Sequence, residues 1–166
     1  MFRIAVTGHR PKKLGWGYNF SDQRWIDLAW RMREILLARL KKFQSIECIT
    51  GMALGVDQLF GLVALKLKKQ NYPVKIFCAI PCRGQEKIWP DASIWLKIKE
   101  NADEVQFICD GEYNNKCMQK RNIFMVDRCD ELIAVFDGKP SGGTYNCVNY
   151  AVKKGKPIIN LFPESE

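Results

Sequence analysis

Glu131-Leu132-Ile133-Ala134-Val135-Phe136-Asp137-Gly138-Lys139-Pro140-Ser141-Gly142-Gly143-Thr144 runs from an apolar stretch into a turn of glycines and a proline, then into a segment of helical period that closes at Gly155 and Pro157. This is one βα unit, and the same pattern recurs along the chain. Apolar runs rich in β-branched or aromatic residues are expected as strands at Phe2 to Thr7, Ser45 to Thr50, Val74 to Ile80, Glu104 to Cys109, Glu131 to Phe136 and Pro157 to Leu161. Helices are expected between them. The clearest is Ser21 to Lys42, where Trp25, Leu28, Ala29, Met32, Ile35, Leu36 and Leu40 fall near one face and Ser21 can cap the amino end. Others are expected at Val56 to Lys69, Asp91 to Asn101, Asn115 to Arg128 and Thr144 to Lys154. Strands separated by helices pair in parallel and are covered on both faces. The fold class is therefore α/β: a single-domain, Rossmann-like, doubly wound and mostly parallel sheet.

The bulk numbers agree with one domain over residues 1 to 166. An apolar content of 47% and a charged content of 27% are those of a globular chain, and no apolar run reaches the roughly 18 to 20 residues that span a bilayer. No membrane partner is expected. The Met1 to Thr7 segment carries Arg3 and leads straight into Gly8-His9-Arg10, unlike the long apolar core of a secretory signal, so a cytoplasmic location is expected. Seven cysteines without a CxxC pair, several of them inside apolar runs, argue against a disulfide scaffold and against a zinc site; no metal is expected.

The net charge of +8 invites a nucleic-acid reading. Much of the excess, however, sits at Lys41-Lys42, Lys66 with Lys68-Lys69, and Lys153-Lys154 with Lys156. These are expected helix ends, where cations complement the dipole.

In an open α/β sheet, ligands bind at the carboxyl ends of the strands, so the loops there carry the functional reading. Strand one exits through Thr7-Gly8-His9-Arg10-Pro11, strand two through Gly51-Met52-Ala53-Leu54-Gly55-Val56-Asp57, and strand five through the glycine turn quoted above. Small residues let backbone amides approach a ligand, and the following helix aims unpaired N–H groups at it. Ser141-Gly142-Gly143-Thr144 is the strongest phosphate candidate; the alternative is that the glycines only turn the chain and Thr144 only caps the helix. Asp57 is either a helix-start carboxylate or a ligand-facing one. His9 is the single histidine, and Arg10 beside it suits phosphate or a base edge. Arg121, ahead of a helix-like Asn122 to Asp127, either reaches the same crevice or is solvated. The loop Ile80 to Pro90 forms a wall on which a base stacks at Trp89, or simply covers the core edge.

Five ordered segments, the first two exits together with Ala79-Ile80-Pro81-Cys82-Arg83-Gly84-Gln85, Arg121-Asn122-xxx-Met125-Val126-Asp127 and Gly142-Gly143-Thr144-x-Asn146, resemble the SLOG superfamily, in particular its YspA/YpsA-like group. That resemblance spans nearly the whole chain. It implies a Rossmann-like fold that recognises nucleotides or nucleotide-derived signals, related to the LOG phosphoribohydrolases and to DprA. The LOG enzymes carry Arg-Lys-xx-Met and then Pro-Gly-Gly-x-Gly-Thr-x-x-Glu. Arg121 and Met125 match the first, and Gly143 and Thr144 the Gly-Thr of the second, while Cys147 stands where LOG enzymes have their catalytic glutamate.

The leading expectation is thus a module that binds or senses a nucleotide-derived phosphorylated small molecule, with no cofactor. Phosphate lies at Gly142, Gly143 and Thr144 with Asn146 nearby; Thr7, Gly8, His9, Arg10 and Arg121 contribute polar contacts, and the base or ribose lies near Gly51, Ala53, Gly55 and Asp57. The first alternative is a nucleoside-phosphate N-glycosidase or deoxyribosyltransferase-like enzyme whose carboxylate comes from Asp57 or Asp137, since glycosidic cleavage needs a group to stabilise developing charge or activate water. The second is DprA-like binding of single-stranded nucleic acid, open but not favoured. A homo-oligomer is compatible with all three.

Overall fold

A computed structural model of the chain, in which residues 1–164 are described, is a six-stranded sheet with helices on both faces. The strands are β1 (Phe2–Gly8), β2 (Ile46–Thr50), β3 (Val74–Ile80), β4 (Glu104–Phe107), β5 (Glu131–Val135) and β6 (Ile158–Asn160). The helices are α1 (Pro11–Leu14), α2 (Gln23–Phe43), α3 (Val56–Lys69), α4 (Ser93–Asn101), α5 (Asn115–Arg128) and α6 (Gly143–Lys153), with a 3-10 turn at Gln85–Ile88. The strand order is β4-β3-β2-β1-β5-β6. Every pairing is parallel rather than most of them.

Alternation along the strands sorts the core into two layers. Ile4, Val6, Ile46, Cys48, Ile76, Cys78 and Ile80 face α2, α3 and α4. Their neighbours Ala5, Ile49, Phe77 and Ala79 face α5 and α6. The second layer includes the small side chains of Ala5, Ala79, Cys147 and Ala151. The central strands β2 and β5 are buried on both faces at every position, with Glu47 and Glu131 taken up by arginines.

Several strand and helix ends shift by one or two residues from the expected ones, and the cap of α2 changes. Asp22, not Ser21, caps α2: its carboxylate accepts from the Arg24 amide at 2.9 Å, while the Ser21 hydroxyl donates to Asn19. Arg121 lies in the middle of α5, whose bounds are the expected ones, and it is buried rather than solvated. The helix-end lysines do fall where expected, with Lys41 and Lys42 in the last turn of α2, Lys66, Lys68 and Lys69 in that of α3, and Lys153 in that of α6. No described helix is long and apolar enough to cross a membrane.

The topology positions the site. From β1 the chain winds outward through β2, β3 and β4, then returns to place β5 on the other side of β1. The loops leaving β1 and β5 therefore diverge in opposite directions, and a crevice opens between their carboxyl ends.

Candidate functional site

At that switch point the His9 amide donates to the Val135 carbonyl at 3.1 Å, so the β1 exit is held against the end of β5. His9 itself is 4% exposed. Its Nε2 lies 3.0 Å from Asp137 Oδ1 and 3.1 Å from the Asp137 amide. Burial lowers the pKa of His9, and the Asp137 carboxylate opposes the shift. The Lys139 amide and His9 together hold the Asp137 carboxyl below its usual range. Asp137 is in this way committed to orienting His9.

Beside this pair lies a cavity of about 290 Å3. Ten of the residues expected to contact a ligand line it: Thr7, Gly8, His9 and Arg10 from the β1 exit, Ala53 and Asp57 from the β2 exit, Arg121 from α5, and Gly142, Gly143 and Thr144 from the β5 exit. Lys13, Met118 and Asn122 complete the wall. Gly51, Gly55, Asn146 and Asp137 are not part of the lining. Gly55, at φ +95°, is the turn into α3 and lies against the Pro11 ring. Asn146 is exposed one turn into α6, and Gly51 supports Arg121 from below.

The amino end of α6 enters this cavity without a side-chain cap. Gly142, at φ +93° and ψ 177°, is the N-cap and makes no side-chain hydrogen bond; the first intrahelical bond runs from the Asn146 amide to the Gly142 carbonyl at 3.0 Å. The amides of Gly143, Thr144 and Tyr145 are thus orphan donors of the first turn. Thr144 is buried inside the helix rather than capping it. Uncapped first-turn amides carry the positive end of the helix dipole.

Arg121, 4% exposed, shares the cavity with them. Its Nη1 donates to the Gly51 carbonyl at 2.5 Å and its Nε to Asn122 Oδ1 at 3.0 Å. Among the described residues the nearest carboxylate oxygen, Asp57 Oδ2, is 4.0 Å away, beyond hydrogen-bonding distance. Asp57 is 5% exposed, and its Oδ2 accepts from the Ala53 amide at 3.2 Å. Burial pushes the Asp57 carboxyl up against the opposing influence of Arg121, Arg10 and the Ala53 amide. Burial likewise lowers the pKa of Arg121, which stays a guanidinium because no protein site deprotonates it at ordinary pH. Arg10 donates to the Tyr113 hydroxyl at 3.2 Å, and the Lys13 ammonium hangs 4.0 Å from where a side chain on Gly142 would begin. Three cations against one carboxylate make the cavity electropositive.

The opposite edge of the sheet is different. There Arg39 grips Glu131 at 3.0 and 2.9 Å, and Arg128 grips Glu47 at 2.9 and 3.1 Å, both bidentate. Cations are matched with carboxylates where the strands begin and left short of them where the strands end.

Cys147 lies beneath the cavity, fully buried, with its thiol against the Thr7 hydroxyl. Burial pushes that thiol up to about 12, so it is neither an acid nor a nucleophile at neutral pH. Among the described residues, no group of His, Cys, Asp and Glu side chains is arranged to hold a metal ion.

Sequence reasoning missed Lys13, Met118 and Asn122 as wall residues, and Tyr113 as the partner of Arg10. Lys13 follows Arg10 by three positions on a one-turn helix too short to show a period, though Pro11 at its first position marks a helix start. Tyr113 has no local signal; it meets Arg10 only through the fold.

The model of the YspA SLOG family matches residues 4–161. The SPbeta prophage-derived protein YoqJ of Bacillus subtilis is 35% identical over 153 residues, covering 81% of this chain and 89% of YoqJ. A UPF0398 protein of Listeria welshimeri is 30% identical over 145 residues, covering 86% of this chain and 79% of its own length. Among solved structures, DNA processing protein A (DprA) from Streptococcus pneumoniae superposes with a TM-score of 0.66 at 17% identity. That match covers 99% of this chain and 51% of the DprA chain, a likeness of fold.

Proposed function

This chain belongs to the YspA SLOG family, and from that premise and the chemistry of the switch-point cavity we propose that it binds a phosphorylated small molecule derived from a nucleotide. One observation carries the reading: a buried arginine with no carboxylate of the described residues in hydrogen-bonding range shares a small cavity with an uncapped helix amino end. Asp57 at 4.0 Å offsets only part of the cost of burying the Arg121 charge. A phosphate between Arg121 and the Gly143 and Thr144 amides would accept from both and remove that cost, and Arg10 and Lys13 would balance its remaining charge. The cavity sits at the low end of the roughly 300–1,000 Å3 usual for small-molecule sites.

Calorimetric titration with nucleoside 5′-monophosphates and the matching unphosphorylated nucleosides tests this. The monophosphates are expected to bind and the nucleosides to bind at least tenfold more weakly. Equal affinity for both would place the binding energy elsewhere.

A second reading has its own support in Asp57. A carboxyl lining the cavity, with its pKa raised by burial, is the kind of group that donates a proton to a leaving base. An N-glycosidase would then use Asp57 in place of the missing glutamate, since Asp137 is held by His9 outside the cavity wall. Release of free base from a nucleoside monophosphate, lost on Asp57→Asn, would establish it; binding without release favours the first reading. Nucleic-acid binding has the fold likeness to DNA processing protein A and the +8 charge behind it. Against it, part of that charge is spread over helix carboxyl ends away from the cavity.

A further inference from the structure

The switch-point cavity shares a wall with a second cleft of about 620 Å3. Arg10 lines both, and three pairs of successive residues divide between them: Arg10 and Pro11, Ala53 and Leu54, Asp57 and Gln58. The backbone of these three segments therefore forms the partition. Both are open clefts rather than sealed voids.

Their chemistry differs. The first is walled by cations and helix amides. The second presents the rings of Tyr18 and Trp89 with the aliphatic Pro11, Leu54 and Ile94. Tyr18 is 65% exposed and Trp89 half-buried, with Trp89 also packed against the core edge. Two aromatic rings left at the rim of a cleft, next to an anion pocket, suit a ligand that is charged at one end and flat and apolar at the other.

We infer that the second cleft is the base subsite: the ligand's phosphate lies at α6, its sugar passes Arg10, and its heteroaromatic base stacks on Trp89 and Tyr18. This rests on the phosphate reading above and extends it to the ligand class, a nucleoside phosphate with an unblocked base face. It moves the base away from the Gly51 to Asp57 loop, whose carboxylate faces the phosphate side of the partition.

Calorimetry of the full chain with ribose 5-phosphate and with the four common ribonucleoside 5′-monophosphates separates the two layers of the reading. The best monophosphate is expected to bind roughly tenfold or more tighter than ribose 5-phosphate, the scale of aromatic–base stacking. Trp89→Ala and, independently, Tyr18→Ala should each shrink that ratio while leaving ribose 5-phosphate affinity unchanged, and Trp89→Phe should keep most of it. Tyr18 is exposed, so its variant reports on stacking even where Trp89→Ala disturbs the core edge. A monophosphate no tighter than ribose 5-phosphate, or a ratio untouched by both alanine variants, overturns the base subsite and leaves the phosphate site standing. Failure of every probe to bind the wild type overturns both.

Discussion

Replacing Arg121 with methionine should change the protein in two separable ways. Met fills much of the same space without a charge, and the Gly51 carbonyl keeps a second donor in Gln85 Nε2 at 3.1 Å. The losses to folding are therefore the Nε hydrogen bond to Asn122 Oδ1, which does not depend on pH, and the attraction of Arg121 for Asp57 across 4.0 Å, which does. At an effective dielectric of about 20 that attraction is worth at most about 4 kcal/mol. Proton uptake by Asp57 sets a second bound. Neutralising a carboxyl whose unfolded pKa is 3.8 costs about 1.4 kcal/mol per pH unit above that value, or about 4 kcal/mol at pH 7. Wild-type Asp57 already bears part of this, so the variant should lose about 2–4 kcal/mol at pH 7.

The sign of the pH dependence follows. A carboxyl whose folded pKa is raised contributes stability below its unfolded pKa and loses that contribution as pH rises through its folded pKa. Removing Arg121 raises the folded value further, so the destabilisation should shrink as pH falls toward 4. Adding Asp57→Asn should recover its pH-dependent part. Urea unfolding of both single variants and the double, at several pH values, measures this. In parallel, a charge-assisted contact worth about 1.5–3 kcal/mol predicts a roughly 10- to 100-fold loss of nucleoside monophosphate affinity. A stability loss equal at all pH values, or strictly additive effects in the double variant, would refute the electrostatic account.

Two further outcomes follow from the same geometry. A Cβ on Gly8 would meet both Val56 methyls at 2.6 Å and the Val56 Cβ at 2.7 Å, so Gly8→Ala should cost about 1–3 kcal/mol, read as a lower urea midpoint, with Val56→Ala relieving only part of the clash because its Cβ remains. His9, its pKa lowered from 6.5 by burial, contributes stability that is fully present above 6.5 and lost as pH falls below it; the midpoint of wild type should drop across that window and that of His9→Gln should not.

Much of the fold was legible because its punctuation is local. The bounds of α3, β3 and α5 coincide with the expected ones, since Gly55, the Lys68-Lys69-Gln70-Asn71 turn and Cys129-Asp130 mark them. The start of α2 slipped by two residues because Ser21 and Asp22 can each cap, and only the geometry of Asn19 chooses between them. The one-turn α1 carries too few residues for a period. At the site, glycines and strand ends located the crevice, while charge matching did not show in one dimension. The burial of Arg121, its 4.0 Å separation from Asp57 and the capture of Asp137 by His9 all join residues far apart in the chain. Asn146 read as a contact from motif spacing, yet the turn of α6 carries it out to solvent.

Binding of an anion between the first turn of α6 and Arg121 is open to amide and guanidinium NMR of the labelled chain during titration with ribose 5-phosphate. Saturable shifts of the Gly143 and Thr144 amides and of Arg121 Nε are expected, accompanied by a rise in the His9 pKa as negative charge arrives beside the ring. Shifts confined to the helix-end lysines, with the α6 amides unmoved, would contradict it.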